Sequence, residues 1–199
     1  MLISFILTAV IVILSIWFYD QLLALYISKL FVKHPILHKY TADIPDFLFL
    51  TVCITTVFAF TGYLTRSRKG IYDQETTFFH LIMYSVPATY AVKTFLKYVF
   101  GRTTTREWLH KPDLYGFHWF QGGGLNACFP SGHMAVFTAL TASLWRFYPR
   151  YRVIYALFLL ALAVALIATN YHFLSDVVAG AYLGVIVEAC INKLLKTGR

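Results

Sequence analysis

The chain has 199 residues, of which 59% are hydrophobic and 13% charged, with a formal net charge of +8. Soluble domains carry roughly 25% charged residues, so this composition excludes an ordinary water-soluble globular domain. The mean hydropathy of +0.64 agrees, and Lys and Arg fall in short clusters between apolar runs, a distribution that suits membrane surfaces and anionic headgroups rather than nucleic acid.

A transmembrane helix needs about 20 mainly apolar residues. Residues 1–19 carry no charge, and Asp20 ends the run. With neither a basic leader nor a small-residue cleavage site, this stretch reads as a retained anchor. Residues 21–40 mix Leu22, Leu23, Leu25, Tyr26, Leu30 and Phe31 with Lys29 and Lys33, which predicts an amphipathic interfacial helix ending near Pro35. A plain continuation of the first helix is the alternative. Residues 47–65 are uncharged and long enough to span, and Arg66, Arg68 and Lys69 close them. The next span, 76–100, contains Pro87 as an expected kink and ends with Lys93 and Lys97 in its last turns. Residues 101–130 read as a polar and aromatic loop with three consecutive glycines, Gly122 to Gly124. Further spans are expected over 131–147, 153–170 and 175–192, the last carrying Gly180 and Gly184 at the spacing that lets helices approach closely. Cys53, Cys128 and Cys190 have no paired spacing, so neither a disulfide framework nor a metal cluster is expected and packing is their assigned role. The expectation is an all-α integral membrane bundle of six helices forming a single domain over residues 1–199.

Six spans put both termini on one side. That side collects nine basic residues and the other eight, a difference that decides nothing by itself. Lys97, Arg102 and Arg106 lie beside the suspected chemistry, and with these set aside the positive-inside rule makes the termini cytoplasmic. The same count brings three distant stretches to the opposite, extracytoplasmic face. The third span ends there with Lys97, the fourth begins there with Ser131, Gly132 and His133, and the fifth ends there just before His172.

These residue types fit phosphoryl transfer. His172 and Asp176 stand four apart across a helix start, so the carboxylate can fix one ring nitrogen and leave the other free to attack. Ser131-Gly132-His133 opens a helix after Pro130, and a helix N-terminus offers unpaired N–H groups and partial positive charge to a phosphate. His133 can protonate a leaving alkoxide, while Lys97 and Arg102, with Arg106 as a further candidate, supply cations for phosphoryl oxygens. Taken singly, each has a simpler explanation: an interfacial histidine, a flexible glycine loop, or Lys93 and Lys97 snorkelling to the headgroups. Gathered on one face they favour a phosphohistidine route that needs no metal and no other cofactor.

Pro130-Ser131-Gly132-His133 followed by His172-x-x-x-Asp176 resembles motifs two and three of the phosphatidic acid phosphatase type 2 superfamily, which includes bacterial membrane lipid phosphatases. The likeness covers roughly residues 75–190. It implies His172 as nucleophile, Asp176 as its partner, His133 as general acid, and Ser131 and Gly132 as phosphate contacts. Two departures stand out. The family's first motif is Lys, six residues, then Arg-Pro, whereas Lys97 is followed at that spacing by Thr104-Thr105. Arg102 is the preferred replacement, ahead of Arg106. The third motif's Ser-Arg is replaced by Ala165-Leu166, leaving Asn170 as a weaker polar substitute. The resemblance implies a multi-pass enzyme of the cytoplasmic membrane that removes a phosphate or diphosphate from a membrane lipid. A lipid phosphotransferase of the same family type, and a non-catalytic lipid-binding or translocating protein, are the competing expectations.

Overall fold

The computed structural model describes residues 2–31 and 44–197, and among these it is helical with no strand. In chain order the helices are α1 (Leu2–Leu14), α2 (Asp20–Phe31), α3 (Ile44–Arg68), α4 (Gln74–Phe100), α5 (Thr105–His110), α6 (Gly132–Phe147), α7 (Arg152–Ala168) and α8 (Leu174–Thr197).

The first helix does not break after Tyr19. A π-helical turn over Ser15–Tyr19 joins α1 to α2, and Asp20 continues the helix instead of ending it. The structure follows the alternative reading, a continuation of the first helix, as far as Phe31. The expected end near Pro35 lies outside the described residues. The physical reason is that Asp20 is not at a water boundary: it is 1% exposed and bonded to groups from elsewhere in the chain.

Helix ends follow local chemistry. The Asp73 side chain accepts from Thr76 N at 3.0 Å and caps α4. Gly101, at φ 53, closes that helix in the left-handed conformation. A Cβ at Gly101 would lie 1.9 Å from the His118 carbonyl oxygen, so the chain can double back only over glycine. Thr104 caps α5 and Ser131 caps α6, each through its side-chain oxygen. Pro87 sits inside an unbroken α4. The expected loop 101–130 is more structured than its composition suggests, holding α5 and two short 3₁₀ turns, Pro112–Leu114 and Gly124–Asn126.

Among the described residues four helical segments are long and apolar enough to cross a bilayer: Leu2–Leu30, Phe47–Arg68, Pro149–Ala168 and Leu174–Thr197. The expected spans on α4 and α6 are not among them. α6 has 16 residues, and α4 buries Thr76, Ser85, Thr89 and Lys93. Both pack on three neighbours: α6 on α8, α4 and α7, and α4 on α3, α6 and α8, although α4 still exposes Phe95 and Tyr98. The outer helices turn apolar side chains outward, among them Leu2, Ile3 and Phe5 on α1, Phe58 on α3, and Leu157 and Leu160 on α7. Contiguous exposed apolar surface of this kind belongs against lipid.

The α6–α8 contact sets the geometry of everything else. A Cβ at Gly180 would fall 2.5 Å from the Ser131 carbonyl oxygen, and one at Gly184 would fall 2.3 Å from that of Ala135. The two glycines therefore let α8 lie directly on the α6 backbone. Gly184→Ala should cost about 1–3 kcal/mol of stability, because the obstacle is main chain and cannot rotate away. A thermal-unfolding midpoint in detergent that matches the wild type would overturn this account of the interface.

Candidate active site

Where α4, α6 and the α7–α8 turn meet, a cavity of about 820 Å³ opens. Lys93 and Lys97 line it from α4, Gly132 and His133 from the start of α6, and Tyr171 and His172 from the turn before α8. Cys128 and Arg106 reach it from the 101–131 segment, and Leu48 and Phe49 of α3 with Tyr90 of α4 form an apolar flank.

His172 is 3% exposed. Its Nδ1 lies 3.5 Å from Asp176 Oδ2 and 3.4 Å from Cys128 Sγ, while its Nε2 is buried without a hydrogen-bond partner. Burial pushes the imidazole below its ordinary range, and the nearby positive charges of Lys97 and Arg102 act in the same direction, against the pull of Asp176. The ring is therefore held neutral, the form in which a nitrogen lone pair is available. Asp176 is fully buried. Its Oδ2 also accepts from Phe173 N at 3.0 Å and from the Cys128 thiol at 2.9 Å.

Cys128 Sγ, His172 Nδ1 and Asp176 Oδ2 lie within 4.8 Å of one another, close enough to hold a metal ion. The three are joined without one: burial pushes the Cys128 thiol well above its usual range, and the thiol donates to Asp176 Oδ2 at 2.9 Å. Cys128 thus belongs to the site, in contrast to the packing role its isolated spacing suggests.

Arg102 is placed differently from the expectation. It is 1% exposed, does not line the cavity, and lies behind Asp176. One guanidinium nitrogen, NH1, donates to Asp176 Oδ1 and to Ser175 Oγ, both at 2.6 Å. The other, NH2, donates to Asp20 Oδ2 at 2.7 Å and to the Tyr115 hydroxyl at 3.1 Å. With its two terminal nitrogens committed, Arg102 is not available to a group in the cavity. Arg106, the second choice from sequence, does reach the cavity wall, with its guanidinium 5.2 Å from the Tyr171 ring and NH2 donating to the Thr169 carbonyl at 3.4 Å.

The remaining expected residues divide. Lys97, Gly132 and His133 share the cavity with His172. Ser131 is fully buried: its Oγ accepts from Met134 N at 3.4 Å and its N–H donates to the Asp176 carbonyl at 3.0 Å, which ties the start of α6 to α8. Asn170 does not line this cavity; it occupies the turn after α7 at φ 50, a left-handed position that asparagine tolerates. Leu166, where the third motif's arginine would stand, is 4% exposed in an apolar cluster with Met134 and Val177.

Lys93, Asp20, Tyr115 and Cys128 were missed from sequence. An acidic residue between apolar stretches is the one local signal that could have singled out Asp20, because charge within a membrane helix is rarely without a partner.

The PAP2 superfamily model matches residues 78–197, more than half of the chain. No curated protein and no solved structure matches significantly. The matched region holds the Ser131-Gly132-His133 and His172–Asp176 segments together with Lys93, Lys97 and Arg102, and excludes Asp20 and the α3 flank. The chain therefore belongs to the PAP2 superfamily, whose members are phosphatases, and its long apolar helices make it a membrane protein.

Proposed function

We propose that this protein hydrolyses a phosphomonoester or diphosphate of a membrane lipid through a phosphohistidine on His172. One observation carries the reading. An imidazole faces a carboxylate with one nitrogen and has the other unpartnered, in a cavity lined by Lys93, Lys97 and Arg106, with Glu107 the acid among them, and by apolar Leu48, Phe49 and Tyr90.

His172 Nε2 attacks phosphorus, and Asp176 holds the ring through Nδ1 and balances the charge that develops on it. Lys97, Arg106 and Lys93 supply the positive charge for the phosphoryl oxygens, and the start of α6 at Gly132 adds the partial positive charge of a helix N-terminus. His133 gives a proton to the leaving alkoxide, and water then releases phosphate from His172. Arg102 and Ser131 act from behind this wall, on Asp176 and on the helix start. Leu48, Phe49 and Tyr90 accept the first methylenes of the lipid tail. No step calls for a metal ion or another cofactor.

In the membrane, α4 and α6 are the remaining two of six spans, packed against α3, α7 and α8 among the four apolar ones. The residues form a single domain with cytoplasmic termini and an extracytoplasmic site. Lys111→Cys should then react with an impermeant maleimide in intact cells and Arg150→Cys should not, in a Cys190→Ser background; the reverse pattern would invert the topology.

Purified protein should release phosphate from at least one of phosphatidylglycerol phosphate, a polyprenyl diphosphate and a lipid A phosphate, and should do so in EDTA. His172→Ala should fall to the blank, and His133→Ala should lose about 10²–10⁴-fold in kcat. Release that depends on an added acceptor lipid would assign a phosphotransferase instead, and wild-type rates from His172→Ala would end the phosphohistidine mechanism.

The pH dependence follows from the state of His172. Attack requires the neutral ring, and burial lowers the pH at which the ring takes up a proton. The acid limb of kcat/KM should therefore fall below pH ~6.5, the ordinary imidazole value. An acid limb well above that value would contradict a buried neutral nucleophile.

A further inference from the structure

Asp20 lies outside the region matched to the family, on the first helix, yet it touches the site's supporting groups at three points. Its Oδ2 accepts from Arg102 NH2 at 2.7 Å and from the Ser175 hydroxyl, and its Oδ1 accepts from Ser175 N at 3.0 Å. Asp20 and Asp176 are both buried, and one guanidinium joins them. The path to the reacting ring is short: Asp20, Arg102, Asp176, then His172 Nδ1.

Formal charge explains why a second carboxylate is useful here. Arg102 alone would cancel Asp176 and leave little negative potential for His172. With Asp20 present, the Asp20–Arg102 pair is neutral and Asp176 keeps its charge for the imidazole. The other charged or titratable groups that bear on His172 are Lys97 on α4, the protonated Cys128, and Tyr171, whose ring centroid lies 5.1 Å from that of His172; those near Asp20 are Arg102 and Tyr115. Ser175 stands in the first turn of α8, so the bonds from its N–H and hydroxyl to Asp20 also fix the helix turn that carries Asp176.

We propose that Asp20 is a positioning residue for the reaction: by neutralising Arg102 and holding the first turn of α8, it keeps Asp176 anionic and aimed at His172, and so sets the basicity of the attacking ring. This rests on His172 being the nucleophile. Asp20 touches neither substrate nor phosphorus, and its influence passes entirely through Arg102, Ser175 and Asp176.

The test reads the His172 ring directly. Protein labelled with ¹³C-histidine is titrated by NMR in detergent, with His172 assigned by the signal lost in His172→Ala. Asp20→Asn leaves the pair with one net positive charge and should move the His172 midpoint to lower pH. Arg102→Gln leaves one net negative charge and should move it to higher pH. The double variant is neutral again and should return close to the wild type. In parallel, Asp20→Asn should lower kcat roughly tenfold, as a weaker base makes a weaker nucleophile, shift the acid limb the same way as the midpoint, and leave KM within about twofold of wild type. A midpoint and kcat unchanged in Asp20→Asn overturn the proposal, as does a kcat loss with no movement of the midpoint, which would mark a merely structural role. Should Asp20→Asn fail to fold, Arg102→Gln is compared with the double variant, and identical midpoints in those two overturn it. Phosphate release by His172→Ala at the wild-type rate would defeat the functional reading instead, and that result is independent of the titration.

Discussion

Arg102 is held between Asp20 and Asp176, and the site's geometry depends on that arrangement. A guanidinium cannot shed its proton, so a buried arginine must be matched by carboxylates or leave the interior. Here the match comes from two helices that are far apart in sequence, the first and the last, while the arginine sits in the segment after α4. Removing one partner of a buried pair typically costs about 3–5 kcal/mol, because the other charge is left uncompensated. The cluster therefore ties the first helix to the start of α8, beside the apolar packing of α1 on α8. It also orients Asp176. With Oδ1 committed to Arg102, Oδ2 faces Cys128 and His172, so the charge network and the direction of the imidazole are one constraint.

Packing adds a second constraint at the same place. Gly180 brings the first half of α8 against the Ser131 carbonyl, and the Ser131 N–H closes the contact by donating to Asp176. The helix start that carries His133 and the turn that carries His172 are thus joined through backbone atoms, and the two rings come to line one cavity. A larger residue at Gly180 would act on the site as much as on the bundle.

Much of this was legible in the sequence, for physical reasons. Uncharged runs mark the apolar helices because lipid-facing backbone must be helical. The four-residue step from His172 to Asp176 spans a helix start, and the structure places those two side chains in contact. Asp20 and Arg102 were harder to read, because a charge at the end of an apolar run looks the same whether it meets water or a counter-charge folded in from residues 82 positions away. Arg102 drew attention as a spare cation near Lys97, but the identity of its partner is a tertiary fact. Lys93 has the same ambiguity: local pattern suggests a snorkelling side chain, and the fold turns it inward to the cavity. Cys128 carries no spacing signal at all, since its role depends on lying beside Asp176.

The departures from the family's motifs become consistent once Arg102 is placed. A motif arginine in contact with phosphate would be a bidentate donor with fixed planar geometry, whereas lysine is a compact charge on a flexible stem. The cavity lining holds two lysines and Arg106 against the single acid Glu107, and the place of the third motif's arginine is taken by Leu166 in an apolar cluster. Such a wall attracts an anion strongly while fixing its orientation less rigidly. On the proposed reading, orientation then has to come from the other end of the substrate, where Leu48, Phe49 and Tyr90 offer apolar contact beside the cations. An amphiphile supplies both ends at once. A small water-soluble phosphate ester would supply only the first, and binding energy from the tail is what a site with looser phosphate contacts would need in order to align phosphorus with His172.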